Sequence, residues 1–290
     1  VTIPYGVRLI CVSLAAFTLT FAAIGLLIAA FAPFALRSAE RLPSSLAARM
    51  ILTLRLLPAV FAMSMVAAIC VPSYIRFEQR DTYEEAGAVC LTLAGVALSL
   101  FLVSLIRTAL AWRRSINPSA SLALVGVLRP RMVISRAAQE ALSAPQLELA
   151  ISHERAHQSR HDNLKRLLIL LAPGPFPHFG ELEKAWKRFA EYAADDRAAC
   201  GDADRSISLA AALVQIAKLG EASDPPLATS FLGSGHDLES RVNRLLNPRP
   251  VVAMRFPDYA FLLPPAALVF ASLYPATPSY VHALLERLMH

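Results

Sequence analysis

The stretch LICVSLAAFTLTFAAIGLLIAAFAPF, residues 9–34, carries no charged side chain and exceeds the roughly 20 residues that cross a bilayer as a helix. A cleaved signal peptide would have a shorter apolar core and a more basic start than the single Arg8 provides. The stretch therefore reads as a first membrane span. The sequence starts at Val1 rather than Met, so a short upstream piece, missing or processed, is expected.

Residues 56–72 and 86–106 have the same character and read as second and third spans. Residues 259–274, interrupted by Pro264 and Pro265, form a shorter apolar run read as a fourth, with 281–290 beyond it as a short amphipathic helix. Composition agrees: 56% of the residues are hydrophobic and only 17% charged, at a mean hydropathy of +0.47. A soluble domain carries about a quarter charged residues. A net charge of +6 could suggest nucleic acid, but the positions of the arginines argue against direct nucleic-acid binding. Arg37, Arg41, Arg49 and Arg55, then Arg107, Arg113, Arg114, Arg129 and Arg131, lie between or at the ends of apolar runs, whereas the loop at 73–85 balances Arg76 and Arg80 with four acidic residues. The positive-inside bias then predicts a multi-pass protein of the cell inner (plasma) membrane, with N-terminus outside, the polar stretch cytoplasmic and C-terminus outside.

The expected fold is mainly α and integral to the membrane. Residues 1–112 hold three transmembrane helices, 113–250 a cytoplasmic domain with a small β-hairpin, and 251–290 the fourth transmembrane helix and a short external tail. Within the cytoplasmic part, 122–127 and 131–135 flank Arg129-Pro130 and read as two strands. Ser143 as N-cap and Pro145 in the first turn start a helix expected to run over 145–172, until Pro173-Gly174-Pro175. Further helices are expected over 181–200 and 206–219. Cys11, Cys70, Cys90 and Cys200 show no metal-type spacing and read as small buried hydrophobes; a Cys70–Cys90 disulfide near the outer ends of two spans has no support beyond that proximity.

The first of these helices contains His153-Glu154-Arg155-Ala156-His157. Residues four apart are offset by about 40° around a helix and about 6 Å along it, so both imidazoles can face one point. Zinc accepts such a pair, and the Glu between can reach a water held by the metal as general base. A solvated polar face is the alternative. A structural zinc site is closed by four protein ligands, a catalytic one has three. His161 continues the stripe but lies about 12 Å from His153 along the axis, too far for one ion. The metzincin pattern would need Gly at 160 and His at 163, where the sequence has Arg160 and Asn163. Downstream, Glu191 and Asp195 share one helix face. Glu191 could complete the metal site while Asp195 accepts from the second nitrogen of a metal-bound His; a solvated acidic face that includes Asp196 is the alternative.

The order of these features, Gly126-Val127-Leu128-Arg129-Pro130-Arg131, then HExxH followed by Arg160-His161-Asp162-Asn163, then an apolar Pro-rich segment, then ExxAD at Glu191 to Asp195, resembles the BlaR/MecR-type membrane metallopeptidases. These are the antirepressor proteases of β-lactam sensing. The HtpX/CAAX-protease group of gluzincins is more distantly similar. The resemblance spans most of the chain and implies a cytoplasmic gluzincin domain between third and fourth spans, binding one Zn2+ per chain through His153, His157 and Glu191. It further implies Glu154 as catalytic base and Asp195 as support for a ligand; Asp162 matches a family position with no role assigned. Residues 236–242 resemble a downstream segment of HtpX-type enzymes, which makes His236 and Arg241 candidates for oxyanion stabilisation or substrate contact.

The family's receptors continue into an extracellular penicillin-binding sensor, whereas this sequence ends at His290 and has no SxxK in an outer segment. A separate sensor protein is the corresponding expectation. The expected function is a membrane-embedded zinc endopeptidase cutting a cytoplasmic or membrane-proximal protein in signal transduction, such as a transcriptional repressor or itself. A housekeeping protease for membrane proteins and a non-catalytic zinc-binding scaffold are the alternatives. Retention of Glu154 weighs against the scaffold.

Overall fold

The computed structural model describes residues 2–78, 84–85, 87–115, 122–219, 229–230 and 238–247. Two-residue strands β1 (Thr2–Ile3) and β2 (Glu84–Glu85) pair antiparallel at one end of three long helices. These are α1 (Tyr5–Ala39), then α2 (Ser44–Met65), which continues through a π turn at Val66–Cys70 into α3 (Val71–Phe77), and α4 (Ala88–Ser115). Pro72 has no N–H to give the preceding turn, and the helix widens just before it rather than breaking. The three rods hold 35, 34 and 28 residues, roughly 42–52 Å each, against a hydrocarbon core of about 30 Å. They are long and apolar enough to cross a membrane, as expected for the first three spans. The fourth, at 259–274, lies outside the described residues, as do 281–290.

Small side chains let these helices approach closely: Ala15, Ala29 and Ala32 of α1, Ala59 and Ala62 of α2 and Ala97 of α4 are buried. Large apolar ones face outward, including Phe31 and Phe34 of α1 and Leu98, Leu102 and Leu105 of α4. Such an outer face suits lipid, not water. The four cysteines are free thiols, with Cys70 and Cys90 buried in one apolar cluster.

The polar part begins with the expected hairpin. Strand β3 (Leu122–Val125) pairs antiparallel with β4 (Arg131–Ile134), and β5 (Thr229–Ser230) flanks the other side of β3. Gly126 opens the connecting loop at φ 104°, a value that favours glycine. Helix α5 (Arg136–Ala141) is capped by Ser135, whose side chain accepts from Ala138 N at 3.1 Å. Helix α6 (Ala144–Arg160) starts in a capping box, with the Ser143 N–H donating to Gln146 Oε1 at 3.0 Å.

The single helix expected over 145–172 is in fact two. His161 adopts the left-handed conformation, φ 56° and ψ 41°, and separates α6 from α7 (Asp162–Leu171). Neither Gly nor Pro marks the break, and LKRLLILL keeps helical periodicity beyond it. The reason is the position of Asp162. In an unbroken helix residue 162 would sit about 140° around the axis from 157, whereas the break lets its carboxylate reach His157. Helices α8 (Phe179–Ala199), α9 (Ala203–Lys218) and α10 (Leu238–Leu246) complete the described chain. Asp202 caps α9 by accepting from Arg205 N at 2.9 Å, so the helix starts three residues before the expected position 206.

The first half of α8 packs on α1 and α2: Phe179, Leu182, Trp186 and Ala190 share a buried cluster with Ile28, Ala32 and Ile51. The α7–α8 connection reaches further. Phe176 lies against Gly25 of α1, where a Cβ would collide with its ring, and its ring centroid is 5.1 Å from that of Phe21. Both positions are near the middle of the apolar stretch of α1. Non-helical backbone at that depth needs internal partners, and Arg55 provides them. Its guanidinium, 1% exposed, donates to the carbonyls of Ile169, Ala172 and Pro173 at 3.0–3.2 Å and pairs with Glu183 of α8 at 2.8 Å.

Candidate metal centre

One face of α6 presents His153 and His157, with Nε2 atoms 3.2 Å apart. From α8, Glu191 brings Oε2 to 3.4 Å from His153 Nε2 and Oε1 to 3.5 Å from His157 Nε2. All three residues are buried. A tetrahedral ion held at about 2.0–2.1 Å separates its ligand atoms by about 3.4 Å, so this donor set has the edge lengths of a metal site. The Glu191 oxygens make no hydrogen bond of good geometry among the described residues, although buried acceptors normally have one. A cation between the three donors would satisfy them. The group can hold a metal ion.

The other imidazole nitrogens are occupied by carboxylates. His157 Nδ1 lies 2.7 Å from Asp162 Oδ2 and His153 Nδ1 lies 2.9 Å from Asp195 Oδ1. A carboxylate at Nδ1 holds the proton there and leaves the Nε2 lone pair for a metal. Asp195, expected beside a ligand, faces His153. Asp162, without an assigned role in the sequence, is its counterpart for His157 through the break at His161. His161 itself is exposed and outside the three-residue group.

Arg241 of α10 is fully buried and grips the second face of these acids. Its Nε and Nη2 donate to Asp195 at 2.9 and 2.7 Å, and Nη1 stands 3.2 Å from Glu191 Oε2. Glu154 is also fully buried and is among the acids whose field acts on Arg241. His236 lies outside the described residues. Two cations were given no role in the sequence reading. Arg166 Nη2 is 3.8 Å from Glu191 Oε1, and Arg160 Nη2 donates to Asp162 Oδ2 at 2.7 Å and to the Ala190 carbonyl at 2.6 Å. In the sequence Arg166 stands beside Lys165 and looks like an ordinary solvated helix charge, so no local signal marks it. Asn163 donates from Nδ2 to the carbonyls of Leu124 and Gly126 at 3.0 and 2.8 Å, fastening the hairpin to the start of α7.

Electrostatics follow from this arrangement. Burial would push the Glu191 carboxyl up, but the His157 imidazole and the Arg241 guanidinium outweigh it and hold the group well below the usual carboxylate range. Burial acts likewise on Asp195, and Arg241 and His153 bring it down to about 2. Asp162 is lowered against its burial by His157, Arg160 and Lys165. For His157, burial opposes the charge, yet Glu191 and Asp162 raise it to about 9. The field at the imidazoles thus favours positive charge, whether proton or metal ion.

No protein-family model, no curated protein and no solved structure matches the chain.

Proposed function

We propose that the chain is a membrane-embedded zinc endopeptidase that cuts a cytoplasmic or membrane-proximal protein in signal transduction, after the manner of the BlaR/MecR-type antirepressor peptidases. The observation that carries the reading is the buried triangle of His153, His157 and Glu191, with edges of 3.2–3.5 Å. Two imidazoles and one carboxylate are a donor set of catalytic zinc sites, which leave a fourth position open. The adjoining Glu154 supplies what a purely structural site has no use for.

A zinc ion held there would polarise the scissile carbonyl and acidify the attacking water. Glu154 would take the proton from the attacking water as its oxygen bonds to the carbonyl carbon, and would deliver that proton to the amide nitrogen as the C–N bond breaks. Asp162 and Asp195 keep each imidazole in the tautomer that offers Nε2, and Arg241 steadies Glu191 and Asp195 together. The peptide lies extended along the outer edge of β4, an edge strand of the sheet, and pairs through its backbone. The Arg asymmetry of the loops puts this chemistry on the cytoplasmic side, with a repressor-type protein or the chain itself as substrate and a separate protein as sensor.

Glu154→Gln keeps the volume of the base and removes its function. The variant is expected to insert and to bind zinc like the parent while proteolysis or self-cleavage falls by about 100-fold to 10,000-fold, and His153→Ala is expected to lose the metal. Normal output from a zinc-loaded Glu154→Gln protein would refute the peptidase reading in favour of a scaffold.

A further inference from the structure

A cavity of about 570 Å³, within the size range of small-molecule sites, opens where the α1–α2 turn meets α8, the end of α6 and α10. None of His153, Glu154, His157, Glu191 and Asp195 lines it. Its charge is one-sided: Arg49, Arg160, Arg197 and Arg244 line it against a single acid, Asp196. That acid is already paired with Arg244 at 2.8 Å. A helix start contributes as well. Ser44 and Ser45 are the first residues of α2. Helix N-termini present N–H groups that lack intrahelical acceptors and favour an anion.

Arg160 lines the cavity while its Nη2 is engaged by Asp162 and by the Ala190 carbonyl. Guanidinium groups match the oxygens of phosphate two at a time, and hydroxyls with backbone N–H groups suit the remaining oxygens.

We propose that this cavity binds a phosphate-bearing ligand, separately from the metal centre. The inference does not rest on the peptidase reading. Arg49 lies seven residues before Leu56, where the apolar run of α2 begins, a rise of about 10 Å. The cavity is therefore within reach of lipid headgroups as well as of soluble phosphates. Arg160 also links it to the metal centre, because the Asp162 oxygen that receives its Nη2 is the one that faces His157 Nδ1.

The test uses the full chain in phosphatidylcholine nanodiscs, titrated with inorganic phosphate and followed by phosphorus NMR. A parallel sample in mixed phosphatidylcholine and phosphatidylglycerol is assayed by mass spectrometry for lipid retained on the protein. Saturable phosphate binding, weakened at least tenfold in Arg49→Gln/Arg197→Gln, identifies a soluble phosphate. Selective retention of phosphatidylglycerol by the parent, lost in the double variant, identifies a lipid headgroup. Binding in neither arm, or equal binding in the variant, overturns the proposal. Should the double variant fail to fold, Ser45→Glu replaces it: the residue is exposed, and an acid in the first helical turn favours the helix while repelling an anion. Parent-like binding by Ser45→Glu also overturns the proposal.

Discussion

Arg241→Met removes a guanidinium that touches both Glu191 and Asp195, at 2.7–3.2 Å in a fully buried setting. Taking one partner from a buried ion pair costs about 3–5 kcal/mol, because the remaining charge is left uncompensated. Here two carboxylates lose the same cation. In metal-stripped protein the unfolding midpoint should therefore fall on the order of 10 °C. Saturating zinc should narrow the gap, since an ion between His153, His157 and Glu191 restores positive charge beside Glu191, although Asp195 keeps only its contact to His153 Nδ1. Arg241→Lys keeps the charge but cannot offer two parallel donors, so it should fall between parent and Met variant. The assay is thermal unfolding in detergent with and without zinc, for all three proteins. An unchanged midpoint in stripped Arg241→Met, or a loss that zinc leaves equally large, would refute the reasoning.

Three further outcomes are expected. Asp162→Asn should weaken zinc binding by about 10- to 100-fold, measured by competition with a chelator; parent-like affinity would mean that the contact to His157 Nδ1 does not orient the ligand. Arg55→Met leaves three carbonyls and Glu183 without their donor, at about 1–3 kcal/mol for each unsatisfied group, so the midpoint should drop in a way that zinc does not narrow. A cysteine replacing Trp112, in a Cys200→Ser background, should be shielded in intact cells from a membrane-impermeant maleimide; labelling there would reverse the proposed orientation.

The features legible in the sequence were those that local repetition encodes. Long uncharged runs marked the three long helices. A spacing of four put His153 beside His157 and Glu191 on the face of Asp195, and the Arg129-Pro130 turn marked the hairpin. What could not be read depends on pairs far apart in the chain. Nothing local says that Arg55 meets the end of α7, that Phe176 fills the notch at Gly25, or that Arg241 reaches Asp195 across 46 positions. The break at His161 belongs to the same class. Periodicity favours one helix through residue 172, and the gain that overrides it is a contact between Asp162 and His157 which exists only once the chain has turned.

These long-range contacts determine how rigidly the metal centre is held. Glu183 and Glu191 lie on one continuous helix, eight residues and about 12 Å apart. Glu183 is tied to Arg55 of α2, while Glu191 faces the imidazoles of α6. The two ends of that segment therefore belong to different bodies: the α1–α2 pair fixes where α8 stands, and α6 with its hairpin fixes where the histidines stand. Arg160 bonds both the Ala190 carbonyl of α8 and Asp162 of α7, and Arg241 adds a third body by tying α10 to α8. A metal site tolerates only small changes in ligand separation, since its edges are set by bonds near 2 Å. Any tilt of α1 and α2 that moves α8 along α6 by about 1 Å would change the Glu191–imidazole edges by a comparable amount. The geometry of the site is thus set partly by the long apolar helices, and Arg55, far from the two histidines in sequence, is one residue at which that dependence can be tested.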